Sequence, residues 1–255
     1  DCAASIEPHR DRVQDFLAIK HMSRGAKQVF SANRWALTGE AAAFLDPFYS
    51  PGSDFIAIGN TMIGKLIEED LAGHPIDRLA PTLQGVFLTL FHSNRATYRA
   101  QYPLFGNPRI MALKVVWDYA VYWGFPALLY FNEKLTDVSF LQSLSKGIEE
   151  IRDMNLQMQQ FFRDWHQADP TPHADAAFVD QNEIELMTRL NAELRDAVDD
   201  ETLKKRFLEN VRVIRELEQE ITSRVSQRHR LATSAPATNP PATHRLEKVF
   251  EVLHI

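Results

Sequence analysis

At 255 residues the chain is long enough to bury a substantial core, and 45% hydrophobic against 24% charged residues is ordinary globular composition. A net charge of -6, with no dense basic stripe carrying interleaved aromatics, argues against nucleic-acid binding. The single cysteine, Cys2, excludes an internal disulfide framework and fits a reducing compartment, so a cytoplasmic location is the expectation.

The chain opens on Asp1, and its first residues have neither the charged start nor the apolar core of a secretion signal; it reads as a processed chain or a fragment. Short strands are expected at 15–22, 26–30 and 34–39, separated by turn residues. From Asp54 onward the pattern is almost entirely helical. A first helix has Ser53 or Asp54 as N-cap and Gly73 as its stop, and a second runs over 76–102 with a local interruption near Pro81. The most apolar run, 109–131, has the length of a membrane span. Yet Lys114, Asp118 and Pro126 lie within it, and each charge near a bilayer centre costs roughly 2.5 to 3.5 kcal/mol, so a buried helix is expected instead of a transmembrane segment. Lys114 and Asp118 stand one turn apart, at the spacing of an ion pair.

A long helix over 138–166 follows, with Leu141, Leu144, Ile148, Ile151, Met154, Met158 and Phe161 at three- and four-residue steps, until "QADPTPHAD" breaks it. Two further helices, 181–197 and 200–225, form a helical pair and not a sustained coiled coil, because Asp199 and Asp200 interrupt the stripe. Residues 231–244 read as a flexible, proline-containing connector. The fold class expected is mainly α with a small N-terminal β piece, organised as 1–53, 54–137, 138–230 and 231–255.

One stretch stands apart: "GEAAAFLDPFYSPGSDF", residues 39–55. A strand ending at Gly39, followed by an acid and small residues, lets a ligand approach the main chain, and Glu40 can accept hydrogen bonds from sugar-like hydroxyls. Ser50, Pro51 and Gly52 then precede a helix whose first N–H groups lack partners within the helix, an end that favours electron-rich or anionic groups. A tight strand-to-helix connection, with alanines chosen for packing, is the plainer reading of the same residues.

With its flanks, "RWALTGEAAAFLDPFYSPGSDFIAIGNTMI" resembles the second flavin-binding motif of FAD-dependent monooxygenases of the hydroxybenzoate hydroxylase type, in the branch that holds the flavin-dependent halogenases. The family pattern of Gly-Asp-Ala-Ala, Asp-Pro and a Ser-x-Gly loop opening a helix falls on Gly39, Glu40, Ala41, Ala42, Asp46, Pro47, Ser50 and Gly52. The segment from Tyr98 to Phe131 also resembles helices of halogenase-like oxidoreductases, so the likeness covers about 15–137. It implies the C-terminal part of an α/β FAD-binding fold, with Gly39, Glu40, Ala41, Asp46, Pro47, Ser50, Pro51, Gly52 and Ser53 at the cofactor. Glu40 would meet the ribityl chain, and the loop at 47–53 would lie near the flavin ring. Glu40 replaces the family's aspartate, Tyr49 stands where tryptophan halogenases carry a glutamate, and Pro51 has no N–H with which to hold a halide. Oxygenation or plain flavin redox chemistry is therefore expected ahead of halogenation.

No Gly-x-Gly-x-x-Gly follows a strand, so the pyrophosphate half of an FAD site is missing, and this chain alone is expected to bind FAD poorly. No catalytic residue is assigned. The nine histidines show no metal-ligand spacing, and no metal is expected. Tyr49, Trp117 and Tyr122 are candidates for an aromatic substrate pocket, although the "WDYAVYW" cluster reads equally as core. The expected function is part of an FAD-dependent oxidoreductase that acts on an aromatic or apolar small molecule, fed by reduced flavin or NAD(P)H, its oligomeric state open. A helical interaction module derived from a flavoprotein, or a prenyl-lipid reductase, are the alternatives.

Overall fold

Helical periodicity from residue 51 onward builds the molecule, and the chain before it supplies a small β edge. The computed structural model describes residues 2–18, 22–169, 178–231 and 250. A short exposed helix, α1 (Cys2–Ile6), comes first. Strands β1 (Arg24–Gly25) and β4 (Ala43–Phe44) pair antiparallel with Arg24 opposite Phe44, and β2 (Phe30–Ser31) and β3 (Trp35–Ala36) pair with Phe30 opposite Ala36. The β piece is thus present but shorter than its sequence pattern predicts. Part of the reason is a helix side chain: Oε1 of Gln84 accepts the N–H groups of Val29 at 2.9 Å and Phe30 at 3.4 Å, taking the place of a strand neighbour. Residues 15–18, expected to be strand, are exposed and irregular, since no neighbouring strand meets their backbone among the described residues; 19–21 lie outside those residues.

The helix expected from Asp54 begins earlier. Ser50 adopts the left-handed region, with φ at 53°, and Pro51 starts α2 (Pro51–Leu71) at the position where its fixed φ is pre-set and its missing N–H costs nothing. Gly73, with φ at 83°, turns the chain away beyond its end. In α3 (Leu79–Tyr98) Pro81 occupies the first turn, so the expected interruption does not occur. Asn107 caps α4 (Pro108–Tyr122) by accepting the Ile110 N–H at 3.2 Å. Pro126 is absorbed by a π-helical turn (Trp123–Ala127) that leads into α5 (Leu128–Phe131), and Asn210 steadies that turn by donating to the Gly124 carbonyl at 3.1 Å.

The region expected as one helix over 138–166 is two: α6 (Val138–Ser143), capped by Asp137, and α7 (Ser145–Ala168), parted at Leu144, whose backbone leaves the helical region. Gly147 in the first turn of α7 lets the helix approach Phe207 so closely that an added Cβ would stand 2.9 Å from the ring. The expected 181–197 helix is reduced to a 3₁₀ turn, held by Asp180 accepting the Asn182 N–H at 2.9 Å, and α8 (Glu185–Glu193). The last helix, α9 (Asp200–Leu231), outruns its expected end. The connector at 232–244 and residues 170–175 of the expected break lie outside the described residues.

One hydrophobic cluster runs from Val29 through α2, α3, α4 and α7 to α9 and Phe250. Edge-to-face rings stitch the β edge to it: Phe30 meets Phe87 at 5.7 Å, and Phe55 meets Phe87 at 5.5 Å and Phe91 at 5.7 Å. Among the described residues no helix is long and apolar enough to cross a membrane.

Candidate functional site

Helix α2 carries two faces with different neighbours. Ser53, Ile56 and Asn60 recur at helical spacing on one face, and Pro51, Asp54, Phe55 and Ile58 on the opposite one. Against the first face lies the turn that contains Gly39. The Thr38 hydroxyl bonds Oδ1 of Asn60 at 2.7 Å, and a Cβ on Gly39 would stand 3.3 Å from the Ile56 side chain. Gly39 has φ at 58°, so a glycine serves there both for conformation and for close packing. Glu40 and Ala41 form a 3₁₀ turn with Gly39 and are exposed. The Glu40 carbonyl accepts from Arg24 at 3.2 Å, while its carboxylate has no partner among the described residues.

The loop from Asp46 to Gly52 joins the two faces. Both carboxylate oxygens of Asp46 are taken: Oδ1 accepts the Phe48 N–H at 2.9 Å and Oδ2 the Tyr102 hydroxyl at 2.5 Å. Asp46 therefore shapes the loop. Pro47 and Ser50 are exposed, Pro51 is buried, and a Cβ added at Gly52 would meet nothing within 4 Å. Tyr49 and Ser50 both hold positive φ, an arrangement that costs roughly 1 to 2 kcal/mol per residue and turns the Tyr49 side chain inward.

Inward of that loop is a largely apolar cavity of about 480 Å³, within the usual range for small-molecule pockets. It is bounded by Tyr49, the inner face of α2, one side of α3, the end of α4 with the π-turn, and α7, with Phe207 of α9 closing one end. One corner of its polar wall is a network around Asp118. The Tyr49 hydroxyl donates to Asp118 at 3.0 Å; Lys114 donates to Asp118 at 2.7 Å, to Oε1 of Gln159 at 2.7 Å and to the Thr97 carbonyl at 3.1 Å; Gln159 donates to Asp118 at 2.6 Å. Lys114 is wholly buried, and its three donors have three acceptors. Burial pushes the Lys114 ammonium down and the Asp118 carboxyl up, and their pairing opposes both shifts. Burial, then the Asp118 charge, drives the Tyr49 hydroxyl far up, so it stays a donor. A second carboxyl, Asp54, is raised by burial and bonded by the Tyr122 hydroxyl.

The chain is similar to a flavin-dependent halogenase. The likeness is to the flavin-dependent halogenase chlA of Dictyostelium discoideum, 25% identical over 114 residues, which is 44% of this chain and 19% of the relative. This match thus spans about a fifth of the relative's length. No protein-family model and no solved structure matches the chain.

Of the residues singled out in the sequence, Tyr49, Pro51 and Tyr122 line the cavity. Gly39, Glu40, Ala41, Pro47, Ser50, Gly52 and Ser53 do not; they lie on the outer face of α2 or around its start. Trp117 stands behind the cavity wall, fully buried, with its indole N–H on Oδ1 of Asn155 at 3.0 Å. Asp54, Tyr98, Asn155 and Gln159 escape a sequence reading of function. Asp54 looks like a helix cap, but Asn155 and Gln159 carry a signal: they are polar positions inside the apolar stripe of α7, between Ile151 and Phe162. Among the described residues no group of three His, Cys, Asp or Glu is placed to hold a metal ion.

Proposed function

We propose that the chain is part of an FAD-dependent oxidoreductase, monooxygenase-like or halogenase-like, that holds an aromatic or apolar small molecule in the cavity behind α2. The observation that carries this is the position of one loop inside the flavin-like motif: Tyr49 and Pro51 line the cavity, while Ser50 between them is exposed at the start of α2. The outer face suits a flavin in its chemistry. Glu40 offers a free exposed carboxylate to ribityl hydroxyls, and the uncapped start of α2 at Gly52, where a side chain would have open space, suits the electron-rich pyrimidine end. A flavin held there supplies electron transfer and oxygen chemistry. Pro51 withholds one N–H from the loop, which favours oxygenation over halide chemistry. The protein's own residues do the rest: α2 keeps cofactor and substrate on separate faces, Tyr49 anchors the loop on Asp118, and the aromatic wall excludes water. Reduced flavin or NAD(P)H is the proposed electron source.

Protein expressed from its whole reading frame, whatever that extends to, is expected to purify with yellow flavin absorbance. A folded, colourless product that ignores added FAD would favour the helical interaction module instead. The cavity has its own test. Gly85 of α3 lines it and a Cβ there meets nothing within 4 Å, so Gly85→Leu is expected to gain up to about 1 kcal/mol of helix propensity while blocking apolar ligands.

A further inference from the structure

The cavity contains one charge without a counter-charge. Of its two carboxylates, Asp118 is matched by Lys114 at 2.7 Å, whereas Asp54 has the neutral Tyr122 hydroxyl. The one cation among the lining residues, Arg152, is exposed and paired with Asp153 at 3.0 Å. Tyr122 bonds this carboxylate directly and Tyr98 feels its charge, and Tyr119, edge to face with Tyr49 at 5.4 Å, adds a further ring to the same cavity. Ring faces attract cations, and a half-buried carboxylate lacking a cation is relieved by a protonated amine that donates to it.

A second group points to the ligand independently. Asn155 lines the same cavity and is only 8% exposed. Its Oδ1 accepts the Trp117 indole N–H at 3.0 Å and the Gln159 amide N–H at 3.1 Å. An indole nitrogen can only donate, so the amide orientation is fixed, and Nδ2 is left as a donor without a protein partner among the described residues. The pocket thus offers an acceptor with negative charge at Asp54 and a neutral donor at Asn155, with apolar surface between.

We infer that the cavity selects an aromatic or apolar amine, its protonated nitrogen at Asp54 beside Tyr98 and Tyr122 and an oxygen acceptor at Asn155. This rests on the reading of the cavity as the substrate site. Calorimetric titration of the full chain with three ligands of matched shape tests it: para-methoxyphenethylamine, neutral para-ethylanisole and anionic para-methoxyphenylacetate. The amine is expected to bind at least about tenfold tighter than the neutral compound, as a charge-assisted hydrogen bond implies, and the anion weakest. Asp54→Asn is expected to abolish that preference while binding para-ethylanisole as before, which also reports an intact cavity. Asn155→Leu should weaken amine and neutral ligand alike. Equal binding of amine and neutral ligand by the native protein, or a preference that survives Asp54→Asn, overturns the inference and leaves the cavity a small-molecule site. Failure of all three ligands to bind overturns the cavity reading as well.

Discussion

The two faces of α2 are built on opposite plans. On the inner face the polar groups of the cavity's charged corner are committed: Lys114, Asp118, Gln159 and Tyr49 close on one another, whereas Asp54 has no cation and the amide nitrogen of Asn155 no acceptor among the described residues. On the outer face the backbone is specified by Gly39 and by the Thr38 to Asn60 bond, while Glu40 and Ser53 stand in solvent. Burial explains the difference. A polar group in the interior must be satisfied or it costs stability, whereas a surface carboxylate can wait for a ligand at no expense. Unsatisfied interior groups are therefore informative, and exposed ones become so only through the chain pattern around them.

The sharpest way to break this contrast is to strip the inner network of its cation. Lys114→Met leaves Asp118 buried without its counter-charge and is expected to lower stability by about 3 to 5 kcal/mol in urea unfolding. Adding Asp118→Leu to that variant should restore much of the loss; a single variant costing under about 1 kcal/mol would mean that the pair is not desolvated. On the outer face Gly39→Ala is expected to cost about 1 to 2 kcal/mol, since alanine is strained at positive φ and its Cβ presses on Ile56.

A smaller effect follows from Asp54. Burial raises its folded-state carboxyl, so the native state keeps that proton to higher pH than the unfolded chain does. The stability this confers is full below the unfolded carboxylate value, about pH 4, and is lost as pH rises through the raised folded value. Asp54→Asn removes the effect, so its melting temperature should climb relative to the native protein as pH rises above about 4. A difference that runs the other way would show Asp54 to be a stabilising group and not a ligand-facing one. The smallest change in stability is expected for Glu40→Gln, within about 0.5 kcal/mol, while the FAD affinity of protein expressed from its whole reading frame falls.

Much of the helical order was legible because apolar spacing is a local property: α2, α3, α7 and α9 stand where their stripes put them. Boundaries failed where a single residue altered the backbone. Ser50 and Pro51 moved the start of α2, Leu144 divided an otherwise continuous stripe, and Pro126 put a π-turn into the run expected as one buried helix. The ion pair of Lys114 and Asp118 was visible in its spacing, but its third and fourth members were not, because Tyr49 and Gln159 arrive from 69 and 41 residues away from Asp118. The motif at 39–55 was conspicuous in sequence, yet its division between two faces of one helix depends on packing that no local pattern encodes. Asp54 was hidden for the same reason, being an ordinary first-turn acid until α4 brings Tyr122 beside it.

The central claim is that cofactor and substrate sites lie on opposite faces of α2 and meet only at the loop that begins it. Amide chemical-shift mapping of protein expressed from its whole reading frame, titrated separately with FAD and with para-methoxyphenethylamine, measures this directly. FAD is expected to shift residues 39–41, 50, 52 and 53, the amine to shift Asp54, Tyr98, Tyr122 and Asn155, and the two sets to share only residues at 49–54. Shifts from both ligands in the same set, or FAD shifts confined to the cavity, would contradict the account.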